Sequence, residues 1–224
     1  MEKFIKTSLK DIKVIIFDFD ETLYYSSNIR EYYINYIFNT IKTLTKVKDW
    51  TDDDILNKMA EIGFTKENKT SPSFTSSCNN FGVEREDWNN YKIDNFFEID
   101  YKNAETIDND FVKKLSKQYK LYIVSNELEK NLKIKASNMN IDLSCFTEIY
   151  APSVENVSNF PIKKENYAKI ISINNINATN ALVIGDRVKV DIEPMIELGG
   201  NGLLIKHPNE IEDFFKDIKR GDYE

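Results

Sequence analysis

The sequence predicts an α/β fold, a doubly wound parallel sheet with a small all-helical cap inserted after the first strand, on three observations. Five short apolar runs are each closed by polar, acidic or Gly/Pro residues, the pattern of strands buried on both faces of a parallel sheet. Helical patterns separate the last four runs and precede the second, an alternation that means a doubly wound sheet. Roughly eighty residues pass between the first run and the second, far more than a crossover needs.

The elements follow in order. Val14 to Phe17 is the first strand, ending in Asp18. The insert comes next: Ile29, Tyr33, Tyr36, Ile37, Phe38, Ile41 and Leu44 recur at helical spacing, and residues 50–62 and 84–97 also read as helices. Between them, residues 65–80 are rich in Ser, Thr, Asn and Lys and contain Pro72, which predicts an exposed connection. A helix marked by Phe111, Leu115 and Tyr119 leads to the second strand, Leu121 to Val124, and Glu148 to Ala151 is the third. A helix carrying Tyr167, Ile170 and Ile171 precedes the fourth, Ala181 to Ile184, and Gly202 to Ile205 is the fifth. Residues 1–23 and 104–224 are therefore expected to form the α/β core domain, with 24–103 as the helical cap domain.

Composition narrows the function classes. A hydrophobic share of 41% beside 30% charged residues is that of an ordinary globular chain, so a folded core is expected. The net charge is -7 and no Lys/Arg cluster stands clear of acidic neighbours, which argues against a nucleic-acid partner. Cys78 and Cys145 are far apart and in no metal-ligand spacing, so two free thiols in a reducing compartment are expected. The first apolar run is too short for a signal-peptide core or a membrane span, which predicts a cytoplasmic protein with no membrane partner. Oligomeric state is left open, with a monomer as the default.

In an open α/β sheet ligands bind beyond the carboxyl ends of the strands, and the residues there form a coherent set. After the first strand come Asp18, Asp20 and Thr22; after the second, Ser125 and Asn126; after the fourth, Asp186 and then Asp191; and Lys163 and Lys164 open the helix that leads to the fourth. The two-residue period of an extended chain puts Asp18 and Asp20 on one side, Asp18 held by the buried strand and Asp20 further out. A rigid carboxylate can attack phosphorus, and a second one nearby can protonate the leaving oxygen and then deprotonate the hydrolytic water. Carboxylates around a phosphate dianion repel by on the order of 4 kcal/mol per pair at intermediate dielectric, so a cation is required, and hard oxygen ligands select Mg2+. Asp18, Asp186 and the main-chain oxygen of Asp20 are its expected ligands, with Asp191 outside them or orienting a lysine. Ser125 and Thr22 can donate to phosphate oxygens, and Lys163 or Lys164 can neutralise developing charge, Lys163 being preferred.

These residues resemble the four motifs of the haloacid dehalogenase-like hydrolase superfamily, in the same order and over almost the whole chain. Asp18-Phe19-Asp20-Glu21-Thr22 is similar to its Asp-x-Asp-x-Thr motif, Ile123-Val124-Ser125-Asn126 to its second, Lys163 or Lys164 to its third, and Gly185-Asp186 with Asp191 to its fourth. The insert looks like that family's helical cap of the first type. The resemblance implies a capped phosphatase acting on a small phosphorylated metabolite, and Asp20 argues against a dehalogenase. Two departures stand out: the family usually has glycine where Glu21 stands, and Lys-Pro where this chain has Lys163-Lys164.

Other readings are possible for each group. Asp18 and Asp20 alone suit an exposed acidic turn, Ser125-Asn126 a helix cap, Lys163-Lys164 a solvated pair, and Asp186 with Asp191 a turn and an N-cap. His207, the only histidine, has no nucleophile beside it in sequence and reads as structural or solvent-facing. The aromatics from Tyr24 to Phe38 read as cap core, with Tyr24 and Tyr25 at the hinge. Gly199 and Gly200 precede the last strand and Gly202 opens it, so they are no dinucleotide-binding loop. A phosphomutase of the same fold and a non-catalytic phosphate-binding module are the rival functions.

Overall fold

The computed structural model describes residues 1–45, 49–63, 78–95 and 101–219. A six-stranded sheet runs in the order β1-β8-β7-β2-β5-β6, with β1 Glu2–Phe4, β2 Val14–Phe17, β5 Lys120–Val124, β6 Glu148–Tyr150, β7 Ala181–Gly185 and β8 Asn201–Leu204. All its pairings are parallel except that of β1 with β8. The five expected strands are therefore present, the first with the expected bounds and the others differing by one residue at one or both ends. The expectation omitted a sixth, β1, because Glu2 and Lys3 are exposed on the sheet edge and give no apolar run.

Alternation along the central strands supplies both faces of the sheet. Ile15, Phe17, Leu121, Ile123, Leu182 and Ile184 pack on one side, Val14, Ile16, Tyr122, Val124 and Val183 on the other. Each of these side chains is almost fully buried, which is worth roughly 1.5–3 kcal/mol apiece in transfer free energy. Helices α4 Asn109–Ser116, α5 Glu129–Asn138, α6 Lys163–Ile173, α7 Glu193–Glu197 and α8 Asn209–Lys219 accompany them. Because β2 lies between β5 and β7, the chain leaves it on both sides, and β2 stands at the topological switch point.

The insert contains α1 Ser27–Leu44, α2 Asp52–Glu61 and α3 Arg85–Asp94, near the three helical spans read from the sequence. Thr51 and Asp54 close a capping box that starts α2. Ile37, Ile41, Ile55, Met59, Val83 and Trp88 form a hydrophobic cluster of their own, separate from the sheet core. Most of the connection expected over 65–80 lies outside the described residues. Strands β3 Tyr24–Tyr25 and β4 Glu105–Thr106 pair antiparallel where the chain enters and leaves the insert, a two-stranded neck too short to read from the sequence. Against this neck His207 packs on the Tyr25 ring at 4.6 Å and lies 3.1 Å from Glu105 Oε2, with its side chain still 41% exposed.

Candidate active site

Asp18 is the first residue beyond β2, and its amide donates to Ile184 O on β7, which extends the ladder by one bond and fixes the carboxyl at the strand end. The chain then turns tightly, with the Thr22 and Leu23 amides both returning to Phe19 O. Glu21 has φ +56°, the left-handed region that glycine enters freely and other residues enter at about 1–2 kcal/mol. That is the physical meaning of the departure at this position: the turn geometry favours glycine, and here a glutamate adopts it.

Three carboxylates converge at the switch point. Asp18, Asp186 and Asp191 are each at most 3% exposed, and each offers an oxygen within 4.8 Å of the others. Lys163 Nζ lies 2.6 Å from Asp18 Oδ1 and 2.6 Å from Asp191 Oδ1. Arg187 Nε stands 3.8 Å from Asp186 Oδ1. Burial pushes the Asp18 carboxyl up to about 6, against the pull of Lys163. Burial also opposes the charge on Asp191, but Lys163 and Arg187 outweigh it and hold this carboxyl below the usual range. For Lys163 burial favours the neutral amine, yet Asp18 and Asp191 prevail and raise its pKa, so the ammonium persists. Three buried acids against one buried lysine leave negative charge in excess, and their hard oxygens fit a magnesium ion.

Asp191 reaches the cluster through local geometry. It belongs to a single π-helical turn, Val188–Ile192, and its Oδ2 accepts from the Arg187 amide at 2.9 Å. Gly185 leaves the space that its side chain fills.

Asp20, two residues beyond Asp18, is more exposed than the clustered acids, at 32%. Its Oδ1 accepts from the Tyr24 hydroxyl and from Lys135 Nζ at 2.7 Å. Burial, reinforced by Asp20, raises the Tyr24 pKa, so this hydroxyl keeps its proton and remains a donor. Lys135 also lies 2.7 Å from Glu127 Oε2, and Lys92 of α3 lies 3.0 Å from Glu127 Oε1. Burial alone would raise the Glu127 carboxyl, but the two ammonium groups hold it well below the usual range.

The other residues singled out in the sequence are distributed unevenly. Ser125 is buried just beyond the end of β5, and its Oγ accepts from the Glu127 amide at 3.0 Å in the turn before α5, whose N-cap is Leu128, so it does not play the helix-capping role weighed for it. Thr22 is fully buried, and its hydroxyl has no hydrogen-bond partner among the described residues. Asn126 is exposed. Lys164 points away and pairs with Glu197 at 2.7 Å on the surface, so of the two lysines only Lys163 contacts the acidic cluster. Lys92, Glu127, Lys135 and Tyr24 as an Asp20 partner were missed. A lysine sharing the buried stripe of α5 with Leu132 and Ala136 was the available signal.

A sequence model of the haloacid dehalogenase-like hydrolase family matches residues 12–199. No curated protein sequence matches the chain. Among solved structures it is similar to a predicted phosphoglycolate phosphatase of Haemophilus somnus, at 15% identity and TM-score 0.53 over 88% of this chain and 86% of that one. It is also similar to a haloacid dehalogenase-like family hydrolase of Streptococcus pneumoniae, at 20% identity and TM-score 0.51 over 87% and 84%. A phosphatase of Thermococcus onnurineus is similar at 16% identity and TM-score 0.50 over 87% and 86%. At these identities the likeness is one of fold.

Proposed function

The chain belongs to the haloacid dehalogenase-like hydrolases, and from that premise we propose that it is a magnesium-dependent phosphatase acting on a small phosphomonoester through an aspartyl-phosphate on Asp18. The observation that carries this reading is the convergence of Asp18, Asp186 and Asp191, with Lys163 bridging Asp18 and Asp191 and with Asp20, two residues beyond Asp18, held by its own donors.

An Asp18 carboxylate oxygen attacks phosphorus as the bond to the leaving oxygen breaks, and Asp20 supplies the proton that oxygen needs. Asp20 then takes a proton from water, which attacks the phosphorus of the aspartyl-phosphate, releasing inorganic phosphate and restoring Asp18. Lys163 balances charge on Asp18 and the phosphoryl oxygens, while Ser125 and Thr22 are the proposed hydroxyl donors. Asp18, Asp186 and the Asp20 carbonyl would hold magnesium, with Asp191 fixing Lys163; when bound, the ion neutralises the carboxylates and the phosphate dianion. Residues 24–103 act as the cap over this site, a division supported by their separate hydrophobic cluster and the β3–β4 neck. Among the described residues no helix is long and apolar enough to cross a membrane, and both cysteines are free.

The test is hydrolysis of para-nitrophenyl phosphate with and without magnesium by the parent and by Asp18→Asn. Magnesium-dependent turnover lost in the variant supports the assignment; equal turnover by both proteins overturns it.

A further inference from the structure

Helix α3 of the insert is tied to the core by a buried ion pair at the edge of the proposed site. Lys92 and Glu127 are 8% and 4% exposed, and their charged atoms lie 3.0 Å apart. Glu127 is used on both oxygens. Oε1 takes Lys92, the Leu128 amide at 2.9 Å and Asn131 Nδ2 at 3.3 Å, while Oε2 takes Lys135 at 2.7 Å. Lys135, 2% exposed, stands between Glu127 and Asp20, 2.7 Å from each. Links of ammonium, carboxylate, ammonium and carboxylate thus run without a gap from the insert to Asp20.

Stability alone is a weak reason for such a chain. Burying three ionic groups, Lys92, Glu127 and Lys135, costs desolvation that apolar packing would avoid, and removing one member leaves another charge uncompensated. The arrangement also makes the Lys135 contacts depend on Lys92. With Lys92 in place Glu127 is shared between two cations, and Lys135 can divide itself between Glu127 and Asp20. Without Lys92, the full Glu127 charge falls to Lys135 and competes with Asp20 for it.

We propose that Lys92, Glu127 and Lys135 are positioning residues that couple the seating of the insert on the core to the placement of the Asp20 carboxyl, so that proton delivery to the leaving oxygen requires the insert to be seated. This rests on the phosphatase reading above. It assigns Lys92, from a helix outside the four motifs, a role in the acid step and none in the attack by Asp18.

The experiment exploits that separation. Dinitrophenolate leaves without a proton, whereas phenolate gains from one. kcat/KM, which covers the steps up to formation of the aspartyl-phosphate, is therefore compared for 2,4-dinitrophenyl phosphate and phenyl phosphate with magnesium present. The proteins are the parent, Lys92→Met, Lys92→Arg, Glu127→Gln and, as a control, Lys42→Met, which removes an exposed ion pair elsewhere in the insert. Positioned general acids contribute about 10²-fold or more, so Lys92→Met and Glu127→Gln should lose at least about ten-fold on phenyl phosphate and only about two-fold on the dinitrophenyl ester. Lys92→Arg should recover most of the loss, and Lys42→Met should match the parent on both esters. Equal losses on both esters by Lys92→Met, or no loss on either, overturn the coupling while leaving the phosphatase assignment standing. If Glu127→Gln fails to fold, the two Lys92 variants decide alone. A parent inactive on both esters overturns the phosphatase reading and the coupling with it.

Discussion

Gly185 faces Asp191 so closely that a Cβ on the glycine would fall 2.7 Å from the Asp191 carboxyl carbon and nearer still to its Cβ. The last residue of β7 thus controls where the carboxylate that holds Lys163 can sit.

Gly185→Ala should therefore displace the π-helical turn instead of merely filling space. Overpacking of this kind costs about 1–3 kcal/mol, and the Asp191 to Lys163 contact should lengthen with it. Thermal melts should show the loss of stability, and magnesium titration followed by melting should show a smaller stabilisation by the ion than in the parent. A variant with unchanged Tm and unchanged magnesium response would contradict the role given to this glycine.

The two adjacent lysines should separate cleanly. Lys163→Met strands Asp18 and Asp191 without their shared cation, and removing one partner of a buried pair costs about 3–5 kcal/mol. Lys164→Met removes a pair whose members are 42% and 60% exposed, which contributes at most about 1 kcal/mol. Denaturant melts of both variants, together with turnover of para-nitrophenyl phosphate, check this; inactivity is expected of Lys163→Met alone.

Lys163 also shows what was legible in the sequence. The parallel strands announced themselves because both faces are buried and every residue of Val14–Phe17 had to be apolar. Acids placed just after those strands could be assigned to one site because the strand ends converge. What was illegible depends on contacts that local pattern does not encode. β1 and the β3–β4 neck are two or three residues long and partly polar. Asp20 and Lys135 are 115 positions apart, and nothing near Lys135 marks it except a buried helix face. The choice between Lys163 and Lys164 turned on helix phase, one residue facing the sheet and the next facing solvent.

Asp18 should show an opposition between stability and metal binding. Its carboxyl is raised from 3.8 to about 6, burial being the main cause. Between those values the folded protein keeps a proton that the unfolded chain releases, so through this group stability falls as pH rises across the window and is level above it. The total is on the order of 2–3 kcal/mol. Asp18→Asn should accordingly raise the Tm of the metal-free protein at pH 8. A magnesium ligand must be ionised, so in the parent the stabilisation given by magnesium should shrink as pH falls below about 6 and be largely absent from Asp18→Asn at any pH. Melts over pH 5 to 8 with and without magnesium measure both effects, and a magnesium response independent of pH would remove Asp18 from the ligand set.

Thr22 offers a test in which structure and function pull apart. Its side chain is fully buried, yet its hydroxyl finds no partner among the described residues, and a buried hydroxyl lacking a hydrogen bond costs about 1–3 kcal/mol. Valine has nearly the same shape without that group. Thr22→Val should leave the Tm unchanged or raise it by a few degrees, since no hydrogen bond within the described protein is broken. If Thr22 donates to the phosphoryl group, the same change should lower kcat/KM about ten-fold or more, because a donor aimed at developing charge is worth more than one in the resting protein. The informative outcome is the pair of measurements. A stable variant with reduced kcat/KM assigns the hydroxyl to the phosphate, whereas a stable variant with the parent's kcat/KM removes Thr22 from that role and leaves the tight turn as the reason for its burial.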